Sequence, residues 1–214
     1  MVEVIPSILT DSPNSLREML DQALGVAGRV HVDIIDGVYA DNRTISPETL
    51  EGLKAPLVDY HLMVNNPVDW IERCVLGQAD RIVGHIEMME SQKEFIDCTH
   101  RAGSGVGLAV DLDTPVGEVE SGVLCELDVV IVMSVKAGHG GQRFDSRALD
   151  KIEELDRLRE DGHFKYRICD DGGIVFNNVG DVRCRGADEV NIGNRIFQGD
   201  LEKNIKDYQK AVYK

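Results

Sequence analysis

The chain is short of positive charge: 23 Lys and Arg stand against 38 Asp and Glu in 214 residues, a formal net charge of −15 at pH 7. Nucleic-acid backbones and anionic membrane surfaces are held by basic patches, so neither is expected as a partner. An anionic small molecule remains open, because backbone amides and a metal ion can make one pocket locally electropositive. No apolar run approaches the ~18 residues of a membrane span. Met1 leads directly into Val2-Glu3-Val4-Ile5, without the basic and apolar regions of a secretory leader, and the expected compartment is the cytoplasm. Cysteine pairing is lacking as well. Cys74, Cys98, Cys125, Cys169 and Cys184 are odd in number and widely spaced with no C-x-x-C, which predicts buried free thiols rather than a disulfide or zinc-thiolate framework. There is no linker, low-complexity tract or sequence repeat, and residues 1–214 are expected to form one domain.

What the chain does have is an organising stretch, Val30–Val38, reading VHVDIIDGV. In a strand the side-chain period is two, so His31, Asp33 and Ile35 share one face and Val32 and Ile34 the other. An imidazole and a carboxylate therefore lie side by side just before Asp36-Gly37, a turn signal. Their tips are expected where a loop begins, a placement suited to a metal or substrate site.

Around this stretch, short apolar runs alternate with amphipathic ones. Strands are predicted at Val2–Leu9, Val30–Ile35, Leu57–Val64, Arg81–Glu87, Gly105–Val110, Leu127–Val135, Tyr166–Cys169 and Glu189–Ile192. Helical segments are predicted between them, at Asp11–Ala27, Pro47–Leu53, Asn66 to about Gly77, Ser91–Ala102, after Thr114-Pro115, at Ser146–Asp161 and Asn177–Arg185, with a last one from about Leu201. Eight such units average about 27 residues each, near the minimum for a strand, a helix and two loops. The alternation predicts an α/β fold with a parallel sheet. Eight units favour closure into a (β/α)8 barrel over an open doubly wound sheet.

Reactive residues fall at the same relative place in many units. Ser7, His31, Asp33, His61, His85, Met133, Asp171 and Gly193 each lie at or near the C-terminal end of a predicted strand. In a closed barrel those ends converge on one face, where the loops build the active site. Two imidazoles and two carboxylates suit Zn²⁺, Mn²⁺, Fe²⁺ or Co²⁺. A cation there would polarise a substrate carbonyl and stabilise an enediolate, with carboxylates beside it to move a proton at carbon. Asp33 and Asp171 come from strands two and seven and could reach opposite faces of a substrate, an arrangement that gives inversion.

In these segments the sequence resembles the ribulose-phosphate 3-epimerase family: Pro6-Ser7-Ile8-Leu9, His31-Val32-Asp33 with Asp36-Gly37, His61-Leu62-Met63, His85 with Glu87, Met133 with Gly138–Gln142, Asp171-Gly172-Gly173, and Gly193 before Ile196-Phe197. The resemblance implies a (β/α)8 TIM barrel of the ribulose-phosphate-binding type holding one divalent metal, zinc first and Fe²⁺, Mn²⁺ or Co²⁺ as alternatives, on His31, Asp33, His61 and Asp171. It implies Asp33 and Asp171 as the acid/base pair inverting C3 of a ketose phosphate. It further implies substrate contacts from Ser7, His61, Met63 and Met133, and a phosphate cradle at Gly138, His139, Gly140, Gly141, Gly172, Gly173, Gly193 and Asn194. A homo-oligomer is expected on the same ground.

Departures from the family pattern cluster at the pocket wall. Ile35 replaces a third methionine, the loop after strand six reads Lys136-Ala137-Gly138-His139-Gly140-Gly141, the last phosphate loop reads Gly193-Asn194-Arg195, and Ala40-Asp41-Asn42 follows strand two. Cys169, two residues before Asp171, is expected to pack rather than react. The leading expectation is epimerisation of D-ribulose 5-phosphate, with allulose 6-phosphate as a six-carbon variant. A lyase on the same barrel, similar to the hexulose-phosphate synthases and orotidylate decarboxylases, is disfavoured, because that resemblance implies an Asp-x-Lys-x-x-Asp motif in the corresponding strand and Asp33-Ile34-Ile35-Asp36 has no lysine. A non-catalytic sugar-phosphate-binding barrel is the third reading.

Overall fold

The structure, a computed structural model, describes residues 2–213. Eight parallel strands, β1 (Glu3–Ile8), β2 (Arg29–Ile35), β3 (Leu57–Met63), β4 (Arg81–His85), β5 (Gly105–Val110), β6 (Val129–Met133), β7 (Arg167–Asp171) and β8 (Glu189–Ile192), pair in sequence order, and β8 closes on β1. The predicted barrel is therefore formed, and the open sheet is excluded. Such strands are covered on both faces, which is why β6 reads as the unbroken apolar run Val129-Val130-Ile131-Val132-Met133.

Among the described residues six α-helices lie outside: α1 (Pro13–Ala23), α2 (Ile71–Leu76), α3 (Gln92–Arg101), α4 (Arg147–Gly162), α5 (Val179–Cys184) and α6 (Leu201–Ala211). Three begin at side-chain caps, where Ser12, Ser91 and Asp200 accept from the backbone N–H three residues on. The helix predicted over Pro47–Leu53 is only a 3₁₀ turn, Pro47–Leu50, because Gly52 leaves the helix with φ +71°. After β5 the connection is two 3₁₀ turns, Val116–Glu118 and Ser121–Glu126, each carrying a glycine that disfavours a longer α-helix.

The period-two expectation for β2 holds. Val30, Val32 and Ile34 pack in the layer between sheet and helices, whereas Ile35 joins the barrel interior with Met63, Val83, Ala109, Ile131, Met133 and Cys169. Interior positions are odd-numbered on every strand. Space inside is tight at β5, where a Cβ on Gly107 would collide with Val129 and Val83.

The end of the barrel opposite the loops is filled by charge. Buried Arg81 pairs with Asp59 and, at 2.7 Å, with Glu189; Arg29 also pairs with Asp59, and Arg167 reaches Glu189 at 2.5 Å. Each buried carboxylate thus meets two guanidinium groups, the pairing that burial of charge requires. The thiol expectation holds in part. Cys74 and Cys169 are buried, Cys98 is half-buried, and Cys125 and Cys184 are exposed because they lie on a surface turn and the last residue of α5.

Candidate active site

The strand register brings the site together at the C-terminal ends. Asp33 stands opposite His61 across β2 and β3, Ser7 opposite His31 across β1 and β2, and Asp171 opposite both Met133 and Asn191 on its two sides. β7 runs on to Asp171, two residues beyond the predicted end, and this aims the carboxylate inward. Its neighbour Asp170 points the other way. There burial pushes the Asp170 carboxyl well above its ordinary pKa, and Ser134 Oγ donates to it at 3.2 Å. The two adjacent acids are therefore shifted in opposite directions in one strand, Asp170 upward by burial and Asp171 downward by the two imidazoles.

At the end of β2, Thr44 Oγ1 donates to the Asp33 carbonyl (2.8 Å) and accepts from Ile35 N (2.9 Å). Asp36 accepts from the N–H groups of Val38, Tyr39 and Asn65, and Gly37 takes φ +81°. Asp36-Gly37 is therefore the turn that the sequence signals, with its carboxylate occupied in holding the loop.

His31, Asp33, His61 and Asp171 each offer one ligand atom, all within 4.8 Å of one another. His31 Nε2 lies 3.2 Å from Asp33 Oδ1, 3.1 Å from Asp171 Oδ2 and 3.2 Å from His61 Nδ1; His61 Nδ1 lies 3.0 Å from Asp33 Oδ1 and 3.5 Å from Asp171 Oδ2. A tetrahedron with zinc–ligand bonds of about 2.0–2.1 Å has edges of about 3.3–3.4 Å. The five separations bracket that value, so the donor set fits a small divalent cation in both chemistry and spacing.

Electrostatics point the same way. Burial opposes a charged His31, but Asp33 and Asp171 overcome it and raise its pKa to about 10. His61 is raised too, with burial again opposing and its hydrogen bonds to Asp171 and Asp33 prevailing. Burial likewise opposes ionisation of Asp33 and Asp171, and the two imidazoles hold both carboxylates below their ordinary range. Two acids in a buried space demand positive charge, which protons on the imidazoles or a metal ion can supply.

Above this group opens a cavity of about 450 Å³, within the range of small-molecule sites. It is lined by Ser7, Asp33, Met63, Met133, Asp171, Gly172, Gly173, Gly193 and Asn194, and by the Gly138–Gln142 loop with His139, Gly140 and Gly141. Every expected site residue thus lines the cavity except His31 and His61, which are buried and do not line it. Ser7 Oγ donates to Asp33 Oδ2 at 3.1 Å, leaving Oδ1 for the ligand cluster. Gly173 has a reason of its own, since φ is +64° and a Cβ there would strike the Phe144 backbone. Ile35 packs with Met63 and Met133 without reaching the cavity, and Lys136 is exposed outside it. Burial raises the Cys169 thiol well above its ordinary pKa, so it packs as a neutral group.

Asn191 was not singled out by the sequence. Its amide nitrogen lies 3.1 Å from His31 Nδ1 and 3.2 Å from Asp171 Oδ2, and its Oδ1 is buried without a partner. Turning the amide gives that oxygen the Nδ1–H that His31 carries whenever Nε2 is a ligand. The available signal was its place two residues before Gly193, on the same face as the β8 strand end. Gln198 also lines the cavity unanticipated, and so does Arg195, which the sequence placed beside the last phosphate loop without giving it a role.

Comparison with known proteins agrees with this geometry. The model of the ribulose-phosphate 3 epimerase family matches residues 3–197. The ribulose-phosphate 3-epimerase of Escherichia coli K12 is 35% identical over 219 aligned positions, covering 99% of this chain and 96% of that protein. The enzyme of the same name from Bacillus subtilis is 31% identical, covering 97% and 98%. Among solved structures, 3-keto-L-gulonate-6-phosphate decarboxylase from Vibrio cholerae superposes with a TM-score of 0.73 at 10% identity, covering 99% of this chain and 97% of that one. The 3-hexulose-6-phosphate synthase of Salmonella typhimurium gives 0.71 at 15% identity, covering 99% of each. At such identities these two establish the barrel only. The family match and the near full-length relatives go further: the chain belongs to the ribulose-phosphate 3-epimerase family and is an isomerase.

Proposed function

We propose that this enzyme inverts C3 of a ketose phosphate, converting D-ribulose 5-phosphate to D-xylulose 5-phosphate, with one divalent cation, zinc first, held by His31, Asp33, His61 and Asp171. The observation that carries the proposal is the position of two carboxylates on the floor of the cavity, each also within reach of both imidazoles. Asp33 and Asp171 are the acid/base pair: one takes the C3 proton and the other returns a proton to the opposite face. Ser7 fixes the Asp33 carboxylate through its outer oxygen. Met63 and Met133 supply the apolar wall that keeps water from the reacting carbon. The amides around Gly138–Gly141, Gly172, Gly173, Gly193 and Asn194 receive the phosphate, a task suited to neutral donors in a chain of net charge −15. A cation bound to the four ligands supplies polarisation of the C2 carbonyl and stabilisation of the enediolate.

The test is NMR in D₂O on a panel of ketose phosphates with zinc-loaded protein. Deuterium entering C3 with inversion of ribulose 5-phosphate is expected. Inversion of allulose 6-phosphate in its place would reassign the substrate to a six-carbon sugar, and carbon–carbon cleavage or the absence of exchange would overturn the epimerase assignment.

A further inference from the structure

Behind the proposed ligand His61 lies a chain of polar groups that the reaction described above does not use. His85, at the end of β4, is fully buried in the interior beside β3. Its Nε2 lies 2.9 Å from His61 Nε2. The rings are inclined by only 23° with centroids 4.9 Å apart, so the facing nitrogens are closer than the ring centres, and the imidazoles meet end to end in a hydrogen bond rather than face to face. On its far side, His85 Nδ1 lies 3.1 Å from Glu87 Oε2 and 2.9 Å from the Tyr39 hydroxyl. Glu87 is fixed in turn, because Asp111 N donates to its other oxygen at 2.7 Å.

The direction of this chain follows from donors and acceptors alone. A carboxylate only accepts, so the proton on His85 stays on Nδ1 and Nε2 presents a lone pair. That lone pair demands an N–H from His61 Nε2. A neutral His61 then carries its lone pair on Nδ1, the nitrogen that lies among His31, Asp33 and Asp171. We propose that His85, held by Glu87, is a positioning residue that locks His61 in the Nε2–H form and so presents Nδ1 to a divalent cation. This rests on the metal reading of the four-residue cluster and extends it outward by two residues. Partners of this kind fix the ring orientation of ligating histidines and raise their basicity, and their loss typically costs about 10- to 100-fold in metal affinity.

The experiment measures zinc affinity by competition with a chromophoric chelator in the wild type, His85→Phe, His85→Gln and Glu87→Gln. In the zinc-loaded wild type, ¹⁵N NMR of the histidine rings reads the His85 tautomer. His85→Phe is expected to bind zinc about 10- to 100-fold more weakly. His85→Gln, whose side-chain oxygen can still accept from His61, is expected to recover most of that loss, and ring NMR is expected to find the His85 proton on Nδ1. Should His85→Phe fail to fold, Glu87→Gln, on the more exposed side of the chain, carries the same test with a smaller loss in the same direction. Wild-type affinity in the variants, or a His85 proton on Nε2, would overturn the positioning role and leave the metal site standing. A wild type that takes up no zinc would overturn the metal reading itself, and the positioning role with it.

Discussion

Protons and a metal ion compete for the same imidazoles, and the size of that competition can be worked from the site. Metal-free His31 has its pKa raised from 6.5 to about 10, burial opposing and the carboxylates of Asp33 and Asp171 prevailing, so the group is protonated throughout the physiological range. A ligating nitrogen must be bare. Displacing that proton costs about 1.4 kcal/mol for each pH unit below the pKa, or about 3 kcal/mol at pH 8 and about 5 kcal/mol at pH 6. Asp33 and Asp171 are held ionised, so neither offsets the change by taking up a proton. Zinc affinity is therefore expected to fall as pH falls, by about tenfold per unit and about 100-fold from pH 8 to pH 6. His61 is raised in the same direction, and release of its proton as well would double the slope. Calorimetric titration with zinc in buffers of different ionisation enthalpy counts the protons directly, with one to two expected per ion. An affinity unchanged between pH 6 and pH 8, or no proton released, would refute the reasoning. The metal-free fold has the opposite sign: the raised His31 pKa contributes stability that is fully present below pH 6.5 and is lost as pH rises towards about 10.

The remaining predictions concern the acids and the buried charge at the other end of the barrel. Asp33→Asn and Asp171→Asn should each lower epimerisation by about 10²- to 10⁴-fold, because each removes one proton-transfer group. If either variant inverts C3 at the wild-type rate in D₂O, the two-base assignment fails. Arg81→Met should destabilise the protein by about 3 kcal/mol in urea denaturation. That is the low end for breaking a buried ion group, chosen because Arg29 still meets Asp59 and Arg167 still meets Glu189. Unchanged or increased stability would show that the network is dispensable.

Much of this was written in local pattern. The period of two in His31-Val32-Asp33-Ile34-Ile35 assigned faces correctly, and Asp171-Gly172-Gly173 marked the end of β7 closely enough to name its carboxylate. Asn191 stayed hidden because nothing in Glu189-Val190-Asn191-Ile192 distinguishes a ligand's partner from an ordinary strand residue. His85 and Glu87 were visible as a motif, yet their use depends on a nitrogen of a different strand lying 2.9 Å away.

The sequence by itself determined the alternation of strands and helices and the inward set of side chains, because these depend on periodicity carried within a few residues; the four groups proposed as cation ligands were named by resemblance to the family's motifs. Only the tertiary structure decided how the strands are staggered. Stagger sets which side chains from different strands meet at one height in the barrel: here Asp33 beside His61, Asp171 beside Asn191, and His61 end to end with His85. It is a property of barrel closure, shared by all eight strands at once, and no single segment encodes it.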